Sequence, residues 1–214
     1  MFDAFPRRHP GMSVWEAIST GFDGGFVPRT RGASLESRRK GGVGWVDVSD
    51  EEVDLEMASR SATAEATSDK EQVREELRQW RISRCWEVLG CLGPAAWSKT
   101  ISADIGASVS PSPQGFESLP FPSLSPGEQR LVLLMRALVG RPPLVLLDEV
   151  WSGMDDAMIA AARRYLRGEV SVLDKNGQFQ AYYGVNGNQA VVVITHWEDE
   201  VPWSGEEVKN FSLG

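Results

Sequence analysis

The six residues LVLLDE at positions 144–149 decide the fold class. Four consecutive apolar residues are the length of a strand. Because apolarity is continuous rather than alternating, they predict a strand that is buried on both faces, as in a parallel sheet covered by helices. The segment AVVVI at 190–194 has the same character. Two such strands with a helical pattern between them predict an α/β fold, in which helices flank a parallel sheet.

The segment before the first strand carries the signals of a capped helix. Ser125 is suited to the N-cap, Pro126 occupies the favoured first helical position, and Glu128 completes a capping box. Apolar residues then recur at helical spacing until Gly140. A second helix is predicted over 155–167, and the Asn-Gly pairs within 169–189 predict a hairpin or loop before the last strand.

The first 121 residues divide by composition. A short apolar pattern after Ser13 predicts a helix, and residues 68–71 form a capping box that opens a longer one. Between them lie basic and acidic runs with Gly, Ser and Ala, which predict a flexible insertion with a short strand near residues 44–48. We therefore expect the start of a helical subdomain at 1–26, an insertion at 27–68, a helix at 69–97, a loop at 98–121 and the core at 122–214.

Composition excludes several classes of protein. A net charge of −8 over 214 residues argues against a generic electrostatic nucleic-acid binder. Two cysteines and two histidines are too few for a disulfide framework or a His-rich metal centre. Apolar runs are strand-sized, not the length of a membrane span, and no signal peptide pattern opens the chain. We expect a cytoplasmic protein, with the mitochondrial matrix as the alternative because of Arg7 and Arg8.

Two adjacent carboxylates, Asp148 and Glu149, end the predicted strand. The carboxyl end of a parallel strand faces the ligand crevice of an α/β sheet. An aspartate there is suited to holding Mg²⁺, and a neighbouring glutamate to polarising an attacking water. The alternative is a polar strand end that leads into a loop.

Three further features have both a structural and a functional interpretation. The helix start at Ser125, with the bare backbone of Gly127, can offer N–H groups to a phosphate or can be an ordinary cap. Asp155 follows a turn and can be a simple helix-start residue. His196 follows the last strand and can sense a phosphate charge or be a structural histidine.

The order and spacing of these pieces resemble the C-terminal half of an ABC-type (ATP-binding cassette) ATPase domain. The SPGE loop at 125–128 is similar to the family's signature, with Pro126 where a small residue is usual. LVLLDE resembles the Walker B strand and catalytic glutamate, although Val150 replaces the usual proline. SGMD at 152–155 resembles the D-loop, and His196 resembles the switch histidine.

The resemblance implies a role for each residue. Two such domains would meet head to tail, as a homodimer or with a second ABC domain, so that Ser125 and the Gly127 N–H contact the γ-phosphate of ATP bound to the partner. Asp148 would hold Mg²⁺, and Glu149 would orient water. His196 would contact the γ-phosphate, and Asp155 would couple the two sites.

The family's phosphate loop, G-x-x-x-x-G-K-[ST], does not occur in the 214 residues, and no glutamine precedes Met12 to serve as the Q-loop residue. We therefore expect a partial P-loop NTPase fold, a latter half that binds ATP poorly by itself. Two hypotheses stay open: an incomplete ATPase, or a non-enzymatic signature donor that completes a partner's ATP site. The EVP segment at 200–202 resembles a soluble, molybdate-transport-like subgroup. Trp151 and Trp197, beside the motifs, can pack or line the nucleotide crevice.

Overall fold

The computed structural model describes residues 11–22, 47–62, 69–97, 115–173, 179–197 and 200–203. Within these ranges, helices dominate the first part of the chain and strands alternate with helices in the second. The helices are α1 (Val14–Ser19), α2 (Asp50–Ala62), α3 (Lys70–Leu92), α4 (Pro94–Trp97), α5 (Pro126–Val139) and α6 (Asp156–Leu166). The strands are β1 (Leu144–Asp148), β2 (Val170–Leu173), β3 (Phe179–Tyr183) and β4 (Ala190–Ile194).

The two apolar runs pair as parallel strands. Strand β1 pairs with β4 in a register that sets Leu144 opposite Ala190 and Asp148 opposite Ile194. The segment between them contains the antiparallel hairpin β2–β3, as the Asn-Gly pairs predict. A mixed architecture with a small parallel sheet is compatible with the expected α/β fold.

The prediction that these strands are buried on both faces is wrong. Burial alternates along β1: Val145 and Leu147 belong to the core, whereas Leu146 is 66% exposed. On β4, Val192 and Ile194 are exposed in the same way. Among the described residues the core packs only against the inner face of this sheet, so that its outer face, formed by Leu144, Leu146, Val192 and Ile194, is apolar and exposed.

A single large core joins the helices to the inner face of the sheet. It contains Trp15 of α1, Leu89 of α3, Leu134 of α5 and Leu147 of β1, all buried. The ring of Trp15 lies 4.8 Å from that of Trp86, centroid to centroid. This core contains residues of the first helices and of the later α/β segment. These two parts of the chain therefore pack as one unit over the described ranges.

A flexible insertion was expected over 27–68, and part of that expectation is wrong. Residues 50–62 form helix α2, which begins with a reciprocal capping box between Ser49 and Glu52. Helix α2 packs against α3 through a small cluster that buries Val53 and Val73. Residues 47–49 form no strand, and the remaining parts of 27–68 lie outside the described residues.

Ion pairs connect α3 to α2 and to the residues just before it. The Nε of Arg78 donates to Asp47 at 2.7 Å, and Arg81 pairs with Glu52. The hydrogen bond from Arg78 lowers the pKa of Asp47 below its usual value. These long-range pairs add to the capping box at Ser49 and to the contact of Val53 with Val73.

Local caps account for the other helix boundaries. Ser13 caps α1 in a capping box with Glu16, as predicted. Helix α3 is capped by Asp69 rather than by Ser68, which lies outside the described residues. Gly93 ends α3, and Pro94 opens the short α4.

A buried polar cluster joins the C-terminal ends of α5 and α6 to α3. The guanidinium of Arg84 donates to the carbonyls of Leu138 and Val139 at 3.1 Å each and forms an ion pair with Glu87. The hydroxyl of Tyr165 donates to Glu87 at 3.1 Å. Because the cluster satisfies the last carbonyls of α5, it anchors the helix that begins at Ser125. None of the helices in the described ranges is long and apolar enough to cross a lipid bilayer.

Candidate functional site

The carboxyl ends of β1 and β4 bring three predicted site residues to one edge of the sheet. Asp148 ends β1 opposite Ile194, and Glu149 follows it. His196 lies two residues beyond β4, with its Nε2 2.8 Å from the Oε1 of Glu149. The side chains of His196 and Glu149 are 81% and 55% exposed, so both are open to a ligand. The parallel register thus places a carboxylate and an imidazole in contact.

The backbone of Glu149 has an uncommon conformation. Its φ is 44°, in the left-handed region that costs a non-glycine residue about 1–2 kcal/mol. The N–H of Glu149 donates to the carbonyl of Ile194 at 3.0 Å, and its carbonyl accepts from the Nη1 of Arg130 at 2.9 Å. Hydrogen bonds on both sides therefore hold the peptide in place.

The start of α5 is the predicted capping box. The Oγ of Ser125 accepts from the Glu128 N–H at 3.3 Å, and the Ser125 N–H donates to the Glu128 carboxylate at 2.8 Å. The Ser125 hydroxyl also donates to that carboxylate at 2.7 Å. Ser125 and Pro126 are exposed, so the positive end of the helix dipole faces outward.

Gly127 is buried against the turn at 152–154. A Cβ built on Gly127 would lie 2.3 Å from the carbonyl oxygen of Gly153 and 3.2 Å from the Cα of Met154. No larger residue fits there without displacing backbone. Gly153 itself has a φ of 81°, which favours glycine. The SPGE loop and the SGMD turn are therefore in direct backbone contact within one chain.

Asp155 caps helix α6. Its Oδ1 accepts from the Met158 N–H at 2.8 Å. The structure thus agrees with the interpretation of Asp155 as a helix-start residue. Its carboxylate is exposed, and its role in coupling two sites stays a prediction.

The two tryptophans beside the motifs differ. Trp151 is buried, its indole N–H donates to the carbonyl of Glu200 at 2.9 Å, and Arg163 lies over its ring. Trp151 is therefore a core residue, and no observation supports a role for it in lining the nucleotide crevice. Trp197 is 68% exposed next to His196, which leaves its ring available to a ligand.

The metal prediction concerns a single carboxylate, that of Asp148. Among the described residues no group of three or more His, Cys, Asp or Glu side chains could hold a metal. Mg²⁺ is commonly held by one or two carboxylates together with substrate phosphates and water, so the exposed Asp148 fits a magnesium ion that arrives with a nucleotide. Cys85 and Cys91 are buried and free, and burial raises the pKa of Cys91 to about 12.

Two residues of the site were missed by sequence reasoning. Arg130 reaches the backbone of Glu149, and the carboxylate of Glu200 contacts the hydroxyl of Thr195. The arginine lies in the second turn of α5, where an exposed charge is ordinary. No pattern along the chain signals a contact that spans 19 positions and ends on a carbonyl.

Curated proteins with similar sequences are described as ATP-binding proteins. An uncharacterised ABC transporter ATP-binding protein of Schizosaccharomyces pombe is 37% identical over 83 residues, and the ABC transporter ATP-binding protein ModF of Escherichia coli is 40% identical over 87. The zinc import ATP-binding protein ZnuC 2 of Hahella chejuensis is 42% identical over 77. No family model and no solved structure gives a significant match.

These alignments are partial in both directions. They cover 39%, 40% and 36% of this chain, and the chain spans only 14%, 17% and 30% of the respective relatives. The chain is thus similar to a part of each of these ATP-binding proteins.

Proposed function

We propose that this chain supplies the signature, Walker B, D-loop and switch residues of an ATP-hydrolysing ABC-type site. The observation that carries the proposal is the 2.8 Å contact between His196 and Glu149 at the carboxyl ends of two parallel strands. A general base and a γ-phosphate sensor that lie at the same edge of the sheet can act on one phosphoryl group. The ATP-binding proteins to which the chain is similar lend support at the level of the family.

The carboxylate of Glu149 orients the attacking water. Its Oε1 is held by His196, which leaves Oε2 to accept a hydrogen bond from that water. The imidazole of His196, which follows strand β4, contacts the carboxylate and in this proposal also reaches the γ-phosphate. Asp148 would hold Mg²⁺, which when bound would supply positive charge opposite the phosphates.

The start of α5 acts on a second nucleotide. Ser125 is exposed at the positive end of the helix dipole, whereas Gly127 is buried and the Glu128 N–H donates to the Ser125 Oγ. In a head-to-tail pair this end faces the γ-phosphate of ATP bound by the partner. Contact of the turn at 152–154 with Gly127 then joins the site on each chain to the loop that serves the other.

The substitution Glu149→Gln tests the hydrolytic proposal. Phosphate release by the purified full chain is measured across an ATP titration with excess Mg²⁺. We expect turnover to fall at least about 100-fold in the variant, because the amide cannot accept the water's proton. The control is Glu169→Gln, an exposed carboxylate that pairs with Arg167. Equal turnover in Glu149→Gln and in the wild-type chain would contradict the proposal, and absence of turnover in the wild-type chain would favour the second candidate.

A second candidate is a non-enzymatic signature donor. It is favoured by one combination: the loop at 125–128 is exposed and well formed, whereas the 214 residues contain no phosphate loop. In this case the chain completes an ATP site whose phosphates are gripped by a partner.

Equilibrium dialysis with ATP separates the two candidates. A signature donor binds little ATP alone, but it raises ATP retention by a complete ABC-type domain, for which ModF of Escherichia coli is the probe. Ser125→Ala should remove that increase, and Ser123→Ala, an exposed serine two residues earlier, should not. Tight ATP binding by the isolated chain would rule out dependence on a partner.

A further inference from the structure

We propose that Arg130 is a positioning residue that holds Glu149 in its left-handed conformation and so ties the carboxylate to the helix that begins at Ser125. The structural half of this proposal stands on the geometry of the chain alone. Its consequence for turnover rests on the proposed ATPase function.

Three hydrogen bonds restrain the peptide groups around Glu149. Its N–H donates to Ile194 on β4 at 3.0 Å, and its carbonyl accepts from the Ser152 N–H at 3.3 Å. The shortest of the three, 2.9 Å, comes from the Nη1 of Arg130. Unlike the other two, which run between backbone groups, this bond depends on the identity of one side chain.

The restraint matters because Glu149 has a φ of 44°. A non-glycine residue leaves that region when nothing holds it, since Cβ crowds the backbone there. Return to the extended or right-handed region would rotate the Cα–Cβ bond. The carboxylate would then move away from His196, now 2.8 Å distant.

Arginine suits this task better than lysine. Its planar guanidinium presents several donors in a fixed geometry, and Nη1 reaches a carbonyl oxygen across the gap between α5 and the end of β1. A lysine has one flexible ammonium, which can reach the same carbonyl but restrains it less.

The position of Arg130 on α5 gives the contact a second consequence. Ser125 caps the same helix five residues earlier, and the far end of α5 is anchored by Arg84. A displacement of the exposed end of α5 therefore reaches the backbone of Glu149 through the side chain of Arg130, in addition to the backbone contact of Gly127 with Gly153. The loop that serves a partner's nucleotide is thereby linked to the carboxylate of this chain's own site.

The first experiment measures the backbone of Glu149 directly. The full chain is labelled with ¹⁵N-glutamate, and the amide resonance of Glu149 is identified by its loss in Glu149→Gln. We expect Arg130→Met to shift or broaden this resonance and Arg130→Lys to change it less. The control is Arg164→Met, which removes a hydrogen bond to the Ala96 carbonyl outside the site. An unchanged Glu149 resonance in Arg130→Met would overturn the proposal.

The second experiment measures turnover in the same variants. A misplaced carboxylate should lower kcat about 10- to 100-fold in Arg130→Met, with KM for ATP unchanged. Arg130→Lys should recover part of kcat, and Arg164→Met should match the wild type. A raised KM with unchanged kcat would mean that Arg130 binds the substrate, and would overturn the positioning role.

The two proposals fail in different ways. Equal turnover in Glu149→Gln and wild type would contradict the ATPase function, whatever the result for Arg130. A displaced Glu149 resonance in Arg130→Met would still support the positioning role in that case. Loss of kcat in Glu149→Gln together with normal kcat and a normal resonance in Arg130→Met would retain the ATPase function and reject the positioning role.

Discussion

The helical part of the molecule and its parallel sheet meet the solvent in opposite ways. Helices α1, α3 and α5 enclose apolar side chains such as Trp15 and Leu89, and the charges on α2 and α3 pair with each other. The sheet buries one face and exposes the other, and its carboxyl edge carries the candidate site. The helices therefore contribute most of the buried core, and the edge of the sheet carries the residues of the candidate site.

The largest expected effect lies in the helical part. Trp15 is fully buried against Trp86, so Trp15→Ala should lower the free energy of unfolding by about 3–5 kcal/mol. Urea denaturation followed by far-UV circular dichroism measures it. Trp80→Ala, at a residue 39% exposed, is the matched control and should cost much less. Equal losses in the two variants would mean that the helical core is not where stability resides.

Two neighbours on β1 test the one-sided burial of the sheet. Leu147 is 4% exposed, and Leu147→Ala should lower the free energy of unfolding by about 2–3 kcal/mol. Leu146 points to the exposed face, so Leu146→Ala should change it by less than about 0.5 kcal/mol. The same denaturation experiment compares them. A comparable loss in both would show that the outer face is covered in solution.

The helix cap at the site should contribute a smaller amount. Ser125→Ala removes the acceptor for the Glu128 N–H and should cost about 1 kcal/mol of unfolding free energy. Ser152→Ala, on the nearby turn, is the control and should change it by a few tenths at most. If Ser125→Ala were neutral, the cap would not contribute to folding, and Ser125 would serve the ligand alone.

The smallest effect is a dependence on pH between α2 and α3. The hydrogen bond from Arg78 lowers the pKa of Asp47 from its usual 3.8. The bond therefore contributes stability above that pH, and the contribution is lost as pH falls through the lower, folded-state pKa. Asp47→Asn should flatten this acid-side loss, by less than about 1 kcal/mol, in unfolding curves taken from pH 5 to about pH 2. Identical acid profiles would contradict the role of the pair.

Local signals predicted much of the fold. The caps at Ser13, Ser125 and Asp155 each satisfy backbone donors within three residues, so sequence alone located helices α1, α5 and α6. Pairing of β1 with β4 followed from two apolar runs. Helix α2 was missed because its contacts are with residues of α3 about 20–30 positions away, such as Val53 with Val73 and Glu52 with Arg81. The apolar sequence of β1 indicates that both of its faces favour burial, but it does not indicate which face another element covers.

The sequence predicted which residues form the candidate site, but not the backbone conformation and contacts that hold them. The positions of Glu149 and His196 at two strand ends implied their proximity. The positive φ of Glu149 and its support by Arg130 arise from tertiary contacts, and neither has a local pattern. The burial of Gly127 against Gly153 likewise depends on a close approach of two loops that sequence spacing does not encode.

Under the proposed function, an anion that binds at this helix start would replace hydrogen bonds of the capping box at Ser125. The Ser125 hydroxyl donates to the Glu128 carboxylate and accepts from the Glu128 N–H, so an anion that takes either donor would break one of these bonds. The helix start loses a cap worth about 1 kcal/mol while it gains a charged acceptor. The net change is the difference between two similar terms. The helix is capped without a ligand, so under the proposed function a bound anion would leave without unwinding it.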